Sequence, residues 1–346
     1  MKADANNNNE IFEKILTVVV PAYNVEKYIR KCLDSLLIAE VLSDLEVLII
    51  DDGGTDHTLE IAETYVKRAP DTFKVITKEN GGHGSVINCG IQEATGKYFK
   101  VVDGDDWVDK RNFKKLISIL KHTNTDIVAS NYCWVFEKTG EKRNEIKRPF
   151  MNVKYEQVYS FPKICHLLYI KMHSMTIRTD ILKMQHIQLD EHCFYVDTEY
   201  ITYPIPYVNT ILFLKESIYM YRIGLADQSV NIQNMQKNIE NHLRVIRSLM
   251  VFYENVYGTG IYTSADPRQI YIVNMINRAI ASQFKIYLSF KPSSRIREEL
   301  RAFDLDIKRR NITLYKAQKK PTVCLLRKSN FRLYWPIACV ANWRLL

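Results

Sequence analysis

At 346 residues, with 47% apolar and 25% charged residues, the chain has the composition of a globular protein large enough for one big core and an appendage. The formal net charge of +9 resides in its last part: from Lys291 onward 14 Lys/Arg face 4 Asp/Glu, so the chain before it is nearly neutral and the end asks for an anionic partner or a solvated helical face. Seven scattered cysteines without a CxxC pair exclude a disulfide framework and a zinc site, and the lack of a run of 18 apolar residues excludes a conventional membrane-spanning helix.

The segment Met1–Lys14 is polar, Asn-rich and without the apolar stretch of a secretion signal, and Asn6–Asn9 reads as a disordered lead-in. Apolar runs at Ile15–Val20, Leu45–Ile50, Phe73–Ile76, Tyr98–Val102 and Asp126–Ala129 predict strands. Helical spacing predicts helices at Val25–Leu37, Leu59–Arg68, Val86–Ala94 and Phe113–Leu120, with Asn24 and Thr55 or Asp56 as N-caps. Strands alternating with helices at this spacing imply an α/β fold with a mostly parallel central sheet covered on both faces. From Tyr132 to about Gln157 the chain reads as polar and irregular. A further β segment is expected at Ile211–Ile223, then helices at Asn234–Tyr257, Pro267–Phe290 and Ser294–Ala317.

Two of the strands end in acid. Leu45–Ile50 runs into Asp51-Asp52-Gly53-Gly54-Thr55-Asp56, and Tyr98–Val102 runs into Asp103-Gly104-Asp105-Asp106-Trp107. Clustered carboxylates repel one another and persist where a cation neutralises them, most often a hard divalent metal with oxygen ligands. Two acidic strand ends in one α/β pattern point to a single crevice for a phosphorylated, metal-bound ligand.

Val18-Val19-Val20-Pro21-Ala22-Tyr23-Asn24, Asp51-Asp52-Gly53-Gly54-Thr55-Asp56, Glu79-Asn80-Gly81-Gly82, Asn88-Cys89-Gly90-Ile91 and Asp103-Gly104-Asp105-Asp106 follow one another in the order and spacing of family 2 glycosyltransferases, which the chain resembles strongly over residues 15–115 and more weakly to about Val230. The resemblance implies the Rossmann-like GT-A fold with a C-terminal helical extension. It implies an inverting transfer of a sugar from a nucleotide-diphosphate donor, expected to be a UDP-sugar, to a glycan or polyprenyl-linked acceptor. Donor contacts are expected from Pro21, Ala22, Tyr23, Asp51 or Asp52, Asn80, Asn88 and Asp103, with Asp105 and Asp103 on Mg²⁺ or Mn²⁺. In Phe194-Tyr195-Val196-Asp197-Thr198-Glu199-Tyr200 the first position of the family's acidic pair is Val196, and Asp197 matches the second, the general base; Glu199 is the reserve. Arg222, with Gln228-Ser229, resembles a late element expected to close over the diphosphate. The chain departs from the family at Val86-Ile87-Asn88, where a donor-contacting Arg is missing, and at Gly54, where Ser is usual; both leave the donor's identity open.

On this reading residues 1–14 are a lead-in, 15–112 the nucleotide-sugar half, 113–230 the acceptor half and 231–346 a basic helical extension. Two other readings share the acidic strand ends: a catalytically silent nucleotide-sugar-binding scaffold at a membrane, and a metal-dependent nucleotidyltransferase. The end of the chain mixes Phe331, Tyr334, Trp335 and Trp343 with Arg327, Lys328, Arg332 and Arg344, a combination suited to an anionic membrane interface. Peripheral attachment to the inner face of the cell membrane is expected, and no nucleic-acid partner, since no binding fold for one accompanies the charge.

Overall fold

The computed structural model describes residues 13–144, 150, 153–225, 228, 231–258 and 266–343. The Asn-rich lead-in, Ser229 and Arg344 lie outside the described residues, as does the side chain of Trp343.

The first half alternates as expected: β1 (Lys14–Ala22), α1 (Ile29–Leu36), β2 (Leu45–Asp51), α2 (Thr58–Arg68), β3 (Phe73–Thr77), α3 (Gly82–Glu93), β4 (Gly96–Val101), β5 (Trp107–Val108), α4 (Lys110–His122) and β6 (Ile127–Phe136). Short elements follow: β7 (Lys142–Asn144), β8 (Val158–Ser160), α5 (Phe161–Ile164), β9 (Met175–Arg178), α6 (Thr179–Met184) and α7 (Asp197–Tyr200). The long β10 (Thr210–Ile223) then leads to α8 (Ile232–Lys237), α9 (Ile239–Tyr257), α10 (Pro267–Ser289), α11 (Ser294–Arg310), α12 (Ile312–Ala317), α13 (Pro321–Lys328) and α14 (Tyr334–Trp343).

One sheet has the order β3-β2-β1-β4-β9-β6-β10-β5, with β7 on β6 and β8 on β10. The pairs β3–β2, β2–β1, β1–β4 and β6–β10 are parallel, while β9 runs antiparallel between β4 and β6. β2 is buried along its whole length, as its unbroken apolar run requires of a strand covered on both faces. The chain turns to opposite sides of β1 on reaching β2 and β4, so the carboxyl ends of these strands open a crevice at a topological switch point. The Gly104 amide donates to Pro21 O at 3.2 Å and the Asp52 amide to Ala22 O at 3.2 Å, which fastens the three strand ends together.

Several local expectations are corrected. β6 runs on to Phe136, through the first part of the stretch expected to be irregular, because Arg222 and its neighbours on β10 pair with it residue for residue. Asn24 is not a helix cap: it sits at φ 52° and its side chain accepts the Thr55 amide at 2.8 Å. Asp56 accepts the Thr58 and Glu26 amides, so it ties α2's start to the loop before α1. The expected helix over Ser294–Ala317 breaks at Asn311, whose side chain caps α12 through the Leu314 amide at 3.0 Å.

The basic end of the chain is part of the core. Val323, Leu326, Phe331, Tyr334 and Ala338 are buried in the same apolar cluster as Val19, Phe99 and the inner face of α10. Arg327 is held inward as well: its Nε donates to Asp304 at 2.8 Å and its guanidinium lies 3.7 Å from the centre of the Tyr315 ring. Leu325, Leu333, Trp335 and Val340 remain exposed. No described helix is long and apolar enough to cross a membrane.

Leu326 is fully buried, so Leu326→Ala should cost about 2–5 kcal/mol of unfolding free energy, read as a lower urea midpoint. A midpoint unchanged from the parent would show that α13 is a loose appendage.

Candidate active site

The site grows from the end of β4. Asp103, Asp105 and Asp106 lie within four residues there, and Gly104 between them fits where a Cβ would stand 2.7 Å from Pro21 O. Asp106 is fully buried. It accepts the Tyr219 hydroxyl at 2.6 Å and the Arg222 amide at 2.7 Å, both from β10. The same hydroxyl lies 3.2 Å from Asp103, which also meets His83 Nε2 at 2.9 Å. Lys100, buried beneath the cluster, donates to the carbonyls of His173 and Met175 at 2.9 and 3.2 Å. That contact fixes the turn that brings His173 against Tyr132, Tyr219 and Tyr221.

Crowded charge moves the ionisation of these groups. Burial, with Asp103 beside it, pushes the Asp105 carboxyl up to about 6. Burial and the charges of Asp105 and Asp103 raise Asp106 well above the ordinary carboxylate value. Burial would raise Asp103 too, but the hydrogen bond and charge of His83, helped by His173, outweigh it and hold this carboxyl low. Burial opposes the charged form of His83 in turn, yet Asp103, Asp197 and Asp105 raise its pKa. Burial alone brings Lys100 down to about 7.

The donor-side residues divide into two groups. Tyr23 is 51% exposed just beyond the end of β1, next to Ala22 and Pro21. Asp51 accepts the Gly54 amide at 3.1 Å. Asp52 is closed off: it accepts from Lys78 Nζ at 2.8 Å, the Gly81 amide at 2.9 Å and the Gly82 amide at 2.7 Å. It organises the Gly-rich loop and α3's first turn, while Asn80 donates to the Asp52 carbonyl at 2.9 Å. Both carboxylates of the pair left open by the sequence are buried, and Asp51 is the one with fewer protein partners.

Two expected donor residues are engaged elsewhere. Asn88 exchanges hydrogen bonds with the Leu189 backbone at 2.8 and 3.0 Å and reaches Glu191. Arg222 is 5% exposed: Nε donates to Asp105 O at 2.7 Å, Nη1 pairs with Glu137, and the guanidinium is 4.7 and 5.0 Å from the Tyr28 and Trp107 ring centres. It staples the acidic loop to β10 instead of reaching into the crevice.

The two candidate bases differ sharply. Glu199 is fully buried and accepts the Asp190 amide at 2.8 Å; burial pushes its carboxyl up to about 8, so it is neutral at physiological pH. Asp197 opens α7 and is exposed. Desolvation of the carboxyl pushes it up to about 6 while His83 and Lys171 oppose the shift, a value that leaves it ionised at neutral pH. The turn that precedes Asp197 packs on α3, where a Cβ at Gly84 would stand 2.0 Å from Asp190 O and the His192 amide donates to Gly81 O at 2.5 Å.

Among the described residues, the ligand atoms of Asp103, Asp106 and His173 lie within 4.8 Å of one another, a set able to hold a metal ion. Asp105 is outside that set, although it and Asp103 keep partial exposure whereas Asp106 has both oxygens engaged by Tyr219 and Arg222. Sequence reasoning missed His83 and His173. His83 stood in plain view in the Gly-rich loop; His173 sits in a short turn whose only signal is its place in the fold.

The family described as Glycosyl transferase family 2 matches residues 17–183. An uncharacterised glycosyltransferase of Rickettsia prowazekii, RP339, is 30% identical over 237 residues, 67% of this chain and 71% of that one. EpsJ of Bacillus subtilis, also described as an uncharacterised glycosyltransferase, is 39% identical over 132 residues, 38% of this chain and 37% of its own length. TarS 1–349 of S. aureus, solved in complex with UDP, superposes with a TM-score of 0.67 at 20% identity, covering 95% of this chain and 89% of that one.

Asp51→Ala should weaken UDP binding with little loss of stability, whereas Asp52→Ala, which orphans Lys78 and two loop amides, should cost about 3 kcal/mol. Calorimetric titration and urea unfolding of both variants check this; the reverse pattern would exchange the two roles. The acidic switch-point crevice, the mostly parallel sheet and these relatives agree, and the chain belongs to the family 2 glycosyltransferases, with their GT-A fold.

Proposed function

We propose that the protein is an inverting, metal-assisted transferase that moves a sugar from a UDP-sugar to a glycan or lipid-linked acceptor, with Asp197 as general base. What supports this reading is an exposed carboxylate, Asp197, whose charge couples to His83, the hydrogen-bond partner of Asp103 at the acidic strand end. UDP is the nucleotide held by TarS, which shares this fold. Contact with an anionic membrane at the inner face of the cell would use the outer side of α13 and α14, where Leu325, Leu333 and Trp335 are exposed.

In this reading Tyr23 and Asp51 hold the base and ribose, and the amides of α3's first turn face the sugar or diphosphate. Asp197 takes the proton of the acceptor hydroxyl as that oxygen attacks the anomeric carbon from the side opposite the leaving diphosphate. Glu199, neutral and buried, serves the backbone of the preceding turn. The carboxylates fit a hard divalent cation: Asp103 and Asp105 would hold Mg²⁺ or Mn²⁺, with Asp106 and His173 as the neighbouring set. When bound, that ion supplies Lewis-acid neutralisation of the charge on the departing nucleotide diphosphate.

Asp197→Asn keeps the shape and removes the proton acceptor, so transfer should fall by roughly 10²–10⁴-fold with UDP affinity nearly intact. Because the base must be ionised and its carboxyl sits at about 6, kcat/KM at saturating Mn²⁺ should drop as pH falls through that value and level off above it. That inflection should vanish in Asp197→Asn; a crippled Glu199→Gln with a healthy Asp197→Asn would overturn the assignment.

Asp105→Ala should abolish turnover and weaken UDP binding only when Mn²⁺ is present. Turnover that survives either this substitution or EDTA would remove the metal from the proposal.

A further inference from the structure

A second cavity opens away from the crevice, between α10, the turn joining α12 to α13, and α14. Its volume is about 900 Å³, within the range of pockets that enclose small organic ligands. Most of its wall is apolar, with Ala281, Leu288, Pro321, Val323, Ile337 and Val340, and Arg278, Lys285, Lys319 and Lys320 add cationic groups to it. Asn277, also on the wall, is 7% exposed. Its oxygens receive Gln318 Nε2, but its Nδ2 donor meets no protein acceptor. A buried amide donor without a partner asks for an acceptor from a ligand.

A path of aromatic rings and cations joins this cavity to the crevice. His173, against Asp103 and Asp106, stacks on Tyr132 with ring centres 5.2 Å apart. Lys171 Nζ lies 5.8 Å from the Tyr132 ring centre and 5.7 Å from that of Tyr169, and its charge is felt by Asp197. The Arg278 guanidinium lies 4.2 Å from the centre of the same Tyr169 ring and lines the cavity. Two cations thus share the Tyr169 ring beside an apolar hollow, a pairing of charge and apolar surface complementary to a phosphate that carries a long hydrocarbon chain.

We propose that this cavity and path form a second subsite, which holds an isoprenyl or acyl phosphate as the lipid part of the acceptor. The hydrocarbon chain enters the cavity, its phosphate oxygens take Arg278, Lys171 and the open Asn277 donor, and the end to be glycosylated points along the path to Asp197. The acceptor role rests on the transferase reading above; binding of a lipid phosphate does not. A lipid of the bulk membrane would meet the exposed Leu325, Leu333 and Trp335, none of which lines this cavity.

Calorimetric titration of the full chain with farnesyl diphosphate, without nucleotide sugar, tests the subsite. Saturable binding is expected, weakened about tenfold or more in Arg278→Glu, an exposed position whose melting temperature should not move. Ala281→Trp should fill the cavity and prevent binding, and Lys285→Ala should weaken it if that substitution proves unstable. Farnesol and inorganic pyrophosphate, each carrying half of the recognised chemistry, should bind far more weakly. Equal binding of inorganic polyphosphate would make the apolar wall idle and overturn the proposal, as would full displacement by phosphatidylglycerol vesicles, which would make this a site for bulk lipid. Unaltered farnesyl diphosphate affinity in Arg278→Glu and Ala281→Trp would also overturn it. Donor hydrolysis is read separately, so a failed subsite and a failed transferase reading give different results.

Discussion

Three carboxylates within four residues at the end of β4 repel one another, and much of the surrounding structure answers that repulsion. His83 reaches Asp103 from α3, the Tyr219 hydroxyl lies between Asp103 and Asp106, and the Arg222 amide donates to Asp106. The Arg222 side chain then closes over the loop by holding the Asp105 carbonyl and stacking on Trp107. A polar network buried at low dielectric is stable only when its members are satisfied together. The elements that satisfy this one come from distant parts of the chain, so the acidic loop organises the fold around the crevice as much as it serves the chemistry.

The same answer explains how the two halves of the sheet meet. β9 enters antiparallel between β4 and β6, with the buried Lys100 ammonium holding the backbone on β9's leading side. A cation with its pKa lowered to about 7 is tolerated there because two carbonyls and the Tyr219 ring face stand in for water.

Much of this was legible in the residues. Unbroken apolar runs such as Leu45–Ile50 exposed the buried parallel strands, and the acidic ends of β2 and β4 located the crevice, because period and charge are local signals. The partnering of individual side chains was not legible. Asp51 and Asp52 are adjacent and chemically identical, and only the position of Lys78 and the Gly81–Gly82 amides separates an enclosed loop anchor from a carboxylate with fewer protein partners. Arg222 read as a phosphate clamp until Tyr28, Trp107 and Glu137 were seen around it. The basic end looked like a free membrane anchor, since positive charge is visible in sequence, whereas the burial of Leu326 and Tyr334 is decided by α10.

Gly84 lies so close to the Asp190 carbonyl that no side chain could be placed there, and the Gly81 carbonyl holds the His192 amide beside it. Asn88 repeats the fastening one turn later on α3. The glycine-rich loop at the start of α3 and the turn that precedes Asp197 are thus fastened together as one piece of backbone. A ligand that drew this loop inward would carry Asp197 with it, so in the function proposed above donor binding and alignment of the base would be coupled through the backbone.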